Sequence, residues 1–461
     1  MTRLSSYIFL ISLFFAACHN TSDKPIVRPL FKVVEHGKTG LDFSNTLHPS
    51  KDFNVFDYMY FYNGSGVGAG DFNGDGLIDL FFAANQGDNK LFLNTGHLQF
   101  KDITKQAGIP EDGGWSTGVS VADVNGDGLP DIYVCKVGHL DGLPTTKNQL
   151  LICEGIDKNG IPTYKDRAAE YGLDFSGFST QAAFFDFDGD GDLDMYLLNH
   201  SIHQNGTFGP RLEKLATTNP FSGDRFYRND TPPASPGAPA PAPHFTDITA
   251  AAGIHSSVIG YGLGIAIADI DLDGRPDIYV GNDFHENDYL YINPGNGSFR
   301  DDLNNRLMHT SQFSMGVDVG DASNDGFPDI ITMDMLPYDP YILKRSEGED
   351  TWEIFNLKIG YGYNYQYTRN NLQLNRRNGS FSEIGLYAGV SATDWSWSPL
   401  WVDFDNDGRK DLFISNGIPK RLNDMDYINF VSNQDLQQKM QDKNLSDQDM
   451  NMINKFPEIR L

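Results

Sequence analysis

Short runs of apolar residues, broken by Gly, Asn, Asp and Pro, recur along residues 31–420. They fall into a repeating unit. Each unit opens on small and apolar residues: Gly66-Val-Gly-Ala-Gly, Gly118-Val-Ser-Val-Ala, Gln181-Ala-Ala-Phe-Phe, Gly264-Ile-Ala-Ile-Ala, Gly316-Val-Asp-Val-Gly and Ser398-Pro-Leu-Trp-Val. An Asp-rich nonamer follows, then a second apolar run such as Ile132-Tyr-Val-Cys or Leu412-Phe-Ile-Ser. Third runs include Lys90-Leu-Phe-Leu-Asn, Arg225-Phe-Tyr-Arg-Asn and Asn371-Leu-Gln-Leu-Asn. Fourth runs start on an aromatic, as in Phe100-Lys-Asp-Ile-Thr, Phe245-Thr-Asp-Ile-Thr and Phe381-Ser-Glu-Ile. Turn-bounded runs of this length predict four short strands per unit. The nonamers begin 52, 63, 83, 52 and 82 residues apart. A four-stranded unit of roughly 50 residues, repeated, predicts an all-β fold, a β-propeller of four-stranded blades. The small first strand fits an innermost place, crowded at the central channel.

The nonamers carry the chemistry. Their positions 1, 3, 5 and 9 are Asp71, Asn73, Asp75 and Asp79; Asp123, Asn125, Asp127 and Asp131; Asp186, Asp188, Asp190 and Asp194; Asp269, Asp271, Asp273 and Asp277; Asp321, Ser323, Asp325 and Asp329; Asp403, Asp405, Asp407 and Asp411. Position 6 is Gly in all six, as at Gly191. Alternate oxygen side chains of a tight loop converge on one point, which suits a hard cation such as Ca²⁺. The glycine allows the sharp turn. An isolated Asp-Gly nonamer reads equally well as a solvated turn; six copies with one ligand grammar favour metal, up to six Ca²⁺. An EF-hand is excluded, since position 12 is Phe82, Val134, Leu197, Val280, Thr332 or Ile414, each inside a strand pattern. Fewer carboxylates mean weaker binding, so loops 3, 4 and 6 are expected to bind most tightly.

The net charge of −27 has this local cause: twenty-one Asp occupy the loop positions. Six divalent ions would leave about −15. An acidic surface argues against nucleic acid as a partner. Cys135 and Cys153 lie on successive strands of one unit, where a disulfide is geometrically open. Two free buried thiols are the favoured alternative.

Residues 1–17 read as a secretory signal: Arg3, then an apolar run from Tyr7 to Phe15, then Ala16-Ala17. Phe15-Ala-Ala-Cys18 resembles the bacterial lipoprotein box, in which Cys18 would be acylated; Phe departs from the usual Leu. An ordinary cleaved signal is the alternative. Residues 18–30 form a polar tether. The absence of Asp directly after Cys18 points to the outer membrane. Beyond residue 420 the chain changes character. Asn423 to Lys443 and Ser446 to Lys455 read as polar amphipathic helices, with Ser446 an N-cap, so residues 421–461 form a helical tail.

Connections between second and third strands vary most. They include inserts from His200 to Asp224 and from Asp334 to Asn370, on the face opposite the Asp loops. The second insert holds Trp352, Phe355, Tyr361, Tyr363, Tyr365 and Tyr367, which either stack on a ligand or pack the insert. His200, His203, His285 and Glu286 fit no strong catalytic or metal motif, and read as polar loop residues. No nucleophile elbow, zinc motif or phosphate loop is visible.

The loops, the Gly-rich strand before them and the Asp-Ile-Tyr-Val-like strand after them resemble FG-GAP/VCBS repeats, as in the integrin α N-terminal propeller. The Phe-Thr-Asp-Ile-Thr and Ala-Gly-Ile elements and the lipoprotein box are similar to the bacterial cartilage acidic protein (ASPIC/UnbV-type) family. The resemblance covers residues 31–420 and implies the calcium positions above and a seven-bladed ring. In that reading Leu41-Asp-Phe-Ser-Asn supplies a fourth strand ahead of the first loop, and the chain is a truncated or naturally short member. The implied function is non-enzymatic: a calcium-stabilised lipoprotein of the bacterial outer membrane, facing periplasm or exterior, that presents its variable-loop face to a glycan or protein partner. Two alternatives are a carbohydrate-active enzyme of the polysaccharide lyase kind and an assembly subunit.

Overall fold

The computed structural model describes residues 30–140, 145–202, 208–232, 243–346 and 348–453. The signal segment, Cys18, the tether up to residue 29, His203 and most of the Pro/Ala-rich stretch 231–243 lie outside the described residues.

Turn chemistry cuts the chain into blades. Blade one is β1 (Val67–Gly70), β2 (Asp79–Phe82), β3 (Lys90–Asn94) and β4 (Phe100–Asp102). Blade two is β5 (Trp115–Ala122), β6 (Asp131–Val137), β7 (Gln149–Ile156) and β8 (Pro162–Asp166). Blade three is β9 (Ser179–Phe185), β10 (Asp194–Asn199), β11 (Arg225–Asn229) and β12 (Phe245–Asp247). Blade four is β13 (Gly262–Ala268), β14 (Asp277–Asn282), β15 (Tyr289–Ile292) and β16 (Arg300–Asp301). A short parallel pair, β17 (Thr310–Ser311) with β20 (Gln366–Tyr367), flanks blade five. Blade five itself is β18 (Val317–Gly320), β19 (Asp329–Thr332), β21 (Asn371–Asn375) and β22 (Phe381–Glu383). Blade six holds only β23 (Ser396–Val402) and β24 (Asp411–Asn416). Every blade is antiparallel in sequential strand order, as a meander requires.

The first strands stand side by side in chain order around the axis. Their small residues follow from crowding. A Cβ on Gly264 would lie 2.8 Å from the Cα of Gly316, and one on Gly68 2.8 Å from Val119 Cγ1. Between successive blades the second and third strands bury apolar side chains in separate layers. Phe81, Leu91, Val134 and Leu151 join blades one and two; Tyr196, Phe226, Val280 and Tyr291 join three and four. Each such layer removes several large side chains from water, at about 1.5–3 kcal/mol per side chain.

Three expectations need correction, and a fourth holds. Leu41–Asn45 forms no strand; residues 36–39 are a helical turn closed by Gly40 at φ +74°, and Leu41 merely follows it. Among the described residues five blades are four-stranded and the sixth has two strands, so no seventh blade is formed. Cys135 and Cys153 are the two free buried thiols favoured from the sequence: they face opposite sides of blade two, in different hydrophobic layers, so no disulfide joins them. The tail is three helices rather than two. They span Met425–Val431, Gln434–Gln441 and Asp447–Ile453, because Asp424 and Asn433 each cap a new N-terminus. Ser446 does cap the last: its hydroxyl accepts from Asp449 N–H at 3.2 Å while Asp449 accepts from Ser446 N–H at 2.9 Å. No described helix is long and apolar enough to cross a membrane.

Candidate metal centres

All six nonamers adopt one turn, built by their own side chains. The first Asp of each accepts N–H groups from positions 5 and 6. Asp71 takes Asp75 and Gly76 at 3.0 and 2.8 Å, and Asp403 takes Asp407 and Gly408 at 3.0 and 2.9 Å. The fifth residue then accepts from position 7, as Asp273 does from Arg275 at 3.0 Å. Position 6 is left-handed throughout, from φ +85° at Gly76 to +97° at Gly191, with open space where a Cβ would sit. The glycine therefore serves conformation, not packing. Position 4 is left-handed too, a feature not read from the sequence: Gly74, Gly126 and Gly189, but also Asn324, Asn406 and Leu272.

This turn brings carboxylates together unequally. One oxygen each of Asp186, Asp188 and Asp194 lie within 4.8 Å of one another, and so do those of Asp269, Asp271 and Asp273, and of Asp403, Asp405 and Asp411. These are the loops with a fourth Asp. In loops 1 and 2 the amides of Asn73 and Asn125 instead donate to Asp75 and Asp127, both at 3.0 Å. In loop 5 the Arg377 guanidinium holds Asp325 at 2.6 Å, so one loop carboxylate already has a resident cation. Loop 4 also carries guanidinium neighbours, Arg275 on Asp273 and Arg306 on Asp271.

The donor set fits a hard divalent cation. It is all oxygen, mostly carboxylate. Two buried loop oxygens, Asp192 Oδ1 in loop 3 and Asp271 Oδ1 in loop 4, have no hydrogen-bond partner. An unpartnered buried acceptor is costly unless a cation meets it.

Position 9 has a second job that the spacing alone hides. Asp79, Asp131, Asp194, Asp277 and Asp329 are buried. Each accepts one N–H from loop position 2 and another from the third strand. Asp131, for example, takes Val124 at 3.0 Å and Cys153 at 2.9 Å. Burial raises the Asp131 and Asp194 carboxyls to about 7 and the Asp79 and Asp277 carboxyls to about 6, against the pull of those N–H donors. A divalent ion alongside would reverse that push.

The opposite face is built from the variable inserts. Asn89, Asn148, Asp224, Asp288 and Asn370, each just before a third strand, accept an N–H from the end of the second strand and square off this side of the blade. The aromatic stretch 53–62 caps the channel here. Phe53, Tyr58 and Phe61 pack on Trp115, a role the sequence reading missed. Beneath it lies a channel cavity of about 330 Å³. Beside it, an apolar cleft of about 480 Å³ runs between Met59, Phe284, Met335, Trp397 and Tyr427.

The inserts interlock. Arg211 N–H donates to Tyr361 O at 2.8 Å, and Tyr363 donates its hydroxyl proton to Gly209 O at 3.0 Å. Glu286 is fully buried and paired with Arg211 at 2.7 Å. His200 donates from Nδ1 to Ser201 O and accepts at Nε2 from Tyr58, and burial lowers its pKa to about 4. His285 is buried among Phe208, Tyr261 and Tyr363. Glu286, His200 and His285 are all buried where the inserts interlock. Of the six insert aromatics, Tyr363 is buried, whereas Trp352 is 72% exposed. Trp352 stacks on Phe355 at 6.2 Å, Phe355 on Tyr365 and Tyr367 at 6.1 Å each, and Arg369 lies 4.9 Å over Tyr367.

Comparison with known proteins places these loops. The FG-GAP-like repeat profile matches residues 71–134, 269–332 and 359–414. No curated protein sequence matches the chain. Among solved structures, the Vibrio cholerae biofilm matrix protein Bap1 is similar at 13% identity and TM-score 0.30, over 68% of this chain and 38% of that one. The Photorhabdus luminescens Tc holotoxin pore is similar at 14% and 0.33, over 76% and 13%. The exotype rhamnogalacturonan lyase YesX is similar at 12% and 0.31, over 60% and 46%. The chain thus spans less than half the length of each, and likeness this distant bears on neither ligand nor activity. What the matched segments and the blades together establish is a β-propeller protein carrying FG-GAP-like repeats.

Proposed function

We propose that this chain is a calcium-stabilised binding module of the bacterial cell envelope, held to the outer membrane by acyl chains on Cys18. The calcium assignment rests on the all-oxygen Asp triads and on two unpartnered loop acceptors, Asp192 Oδ1 and Asp271 Oδ1. The anchor rests on the Phe15-Ala-Ala-Cys18 box. The ligand is a glycan or a protein, met on the variable-loop face.

The observation that carries the binding reading is the exposed ladder of Trp352, Phe355, Tyr365 and Tyr367, ended by Arg369. Its rings are stacked at 16–27° and one edge is solvent-facing. A flat, apolar, partly exposed stack is suited to sugar rings or to an aromatic anchor of a protein.

The test uses the chain from His19 onward, in calcium, on immobilised polysaccharides. Retention that Trp352→Ala weakens at least fivefold, without a change in melting, is the expected result. Release of shortened or unsaturated products would overturn the non-enzymatic reading. Retention indifferent to Trp352 would remove the ladder from it.

A further inference from the structure

Phe284, just after β14, holds φ +60°. A bulky residue rarely adopts that left-handed conformation. Asp283 supports it: its carboxylate accepts the Phe284 N–H at 2.8 Å and the Tyr60 hydroxyl proton at 3.1 Å. Asp394, just before β23, is left-handed too, at φ +65°. Its carboxylate accepts the Trp395 N–H at 2.8 Å, and Arg421 grips the same group with two bonds of 2.9 and 2.8 Å. Phe284 and Trp395, thus placed, both wall the cleft of about 480 Å³. Strained backbone of this kind gathers where a ligand is held.

Separate parts of the chain meet at this cleft. The plug supplies Met59, blade five Met315 and Met335, blade six Trp397, and the first tail helix Tyr427. Three unbranched thioethers give walls that adapt to the shape of an apolar guest. The volume lies in the small-molecule range, about 300–1,000 Å³.

Two polar atoms on these walls are left over. Among the described residues neither Trp395 Nε1, a donor, nor Asn423 Oδ1, an acceptor, has a hydrogen-bond partner. Both residues are only 8% exposed. Their neighbours are satisfied: Trp397 Nε1 donates to Gly417 O at 2.6 Å, and Tyr60 donates to Asp283. The Arg421–Asp394 ion pair stands one residue before Trp395 and two before Asn423, and so fixes the turn that carries the donor against the segment that carries the acceptor. A buried donor or acceptor without a partner forfeits its hydration. One of each in a single cleft calls for a group that both accepts and donates.

Charge narrows the choice. Among the described residues the walls hold one charged group, Asp283, and no Lys, Arg or His. A carboxylate or phosphate would meet like charge without a counter-ion. An ammonium is not called for, since both Asp283 oxygens already hold donors.

We infer that the cleft binds an uncharged, mainly apolar small molecule bearing a hydroxyl. Trp395 Nε1 donates to the hydroxyl oxygen and Asn423 Oδ1 accepts its proton. The site shares no residue with the Trp352 ladder, so it is independent of the glycan reading.

The test is calorimetric titration of the chain from His19, in calcium at pH 7, with three probes of one ring system. These are 1-naphthol, 1-methoxynaphthalene, which accepts but cannot donate, and 1-naphthoate, which is anionic. Naphthol should bind at one site at least tenfold more tightly than either of the others. Asn423→Leu should erase the preference for naphthol over methoxynaphthalene. It should not lower the ligand-free melting midpoint, because it removes an unpartnered atom. Trp395→Phe should weaken both neutral probes at least fivefold. Met335→Trp, which fills the cleft and leaves both polar atoms in place, should abolish binding. Methoxynaphthalene or naphthoate binding as tightly as naphthol would overturn the inference. So would saturable binding of none of the three, or naphthol affinity unchanged in Asn423→Leu and Trp395→Phe alike.

Discussion

Asp194 Oδ1 accepts the Asn229 N–H at 2.8 Å, tying the last residue of an Asp loop to the third strand of its blade. Its other oxygen takes Phe187 N–H at 3.1 Å. The same carboxylate therefore holds loop, second strand and third strand together. Removing it strands two buried donors, at about 1–3 kcal/mol each. With calcium chelated, Asp194→Ala should cost about 2–4 kcal/mol in urea unfolding. Asp411→Ala, where the third-strand bond is not made, should cost less than about 1 kcal/mol. Equal costs would show that the position serves metal alone.

Loop 5 is expected to be the weakest metal site, since Arg377 already satisfies Asp325 and Ser323 replaces a carboxylate. Calorimetric titration should show the double change Ser323→Asp with Arg377→Ala gaining at least tenfold in calcium affinity at that loop, about 1.4 kcal/mol. Asp188→Asn should instead weaken loop 3 toward the affinity of loops 1 and 2. An unchanged loop 5 would refute the competing role of the guanidinium.

Leu272 holds φ +61° at the loop position where its counterparts are Gly or Asn. A branched aliphatic residue pays steric strain there that Asn largely escapes. Its side chain is half exposed, so little packing is lost. Leu272→Asn should stabilise the protein by about 0.5–1 kcal/mol in urea unfolding. Destabilisation would mean that the Leu side chain matters more than its backbone.

Two buried carboxyls away from the loops give a pH signature. Burial raises Asp224 and Asp288 to about 7, although Tyr196 and Tyr279 donate to them at 2.7 Å. Their folded values lie above the ordinary 3.8, so the folded chain holds protons that the unfolded chain releases. This contribution is complete below about pH 4 and is lost as pH rises through about 7, by up to about 1.4 kcal/mol per pH unit for each group. In chelator, Asp288→Asn should flatten stability against pH between 4 and 7 by about one proton. Parallel curves for the two proteins would contradict the assignment.

Much of this architecture is legible in the sequence because its signals are local. Positions 1, 5 and 6 fix the turn through bonds spanning at most five residues, as from Asp71 to Gly76, so the nonamer is its own evidence. Third strands such as Asn371–Asn375 carry their full pattern in five residues. What escaped depends on distant partners. Asp131 as a staple needs Cys153, and Phe53 as a plug needs Trp115. The strand expected at Leu41–Asn45 is absent because the preceding turn, His36–Thr39, is closed by Gly40 under the distant Phe100 carbonyl. The tail was read as unbroken from Asn423 to Lys443 because a cap at Asn433 is invisible in a run of polar helix formers.

Calcium in the Asp loops should hold the blades together. The direct measurement is thermal unfolding of the chain from His19 in 1 mM calcium and in excess chelator, with equilibrium dialysis counting bound ions. At a hundredfold excess over Kd, each occupied site adds about 2.7 kcal/mol. At least three saturable sites are expected, weakened in turn by Asp188→Asn, Asp271→Asn and Asp405→Asn, with a midpoint several degrees higher in calcium. Coincident melting curves with no saturable uptake would contradict it.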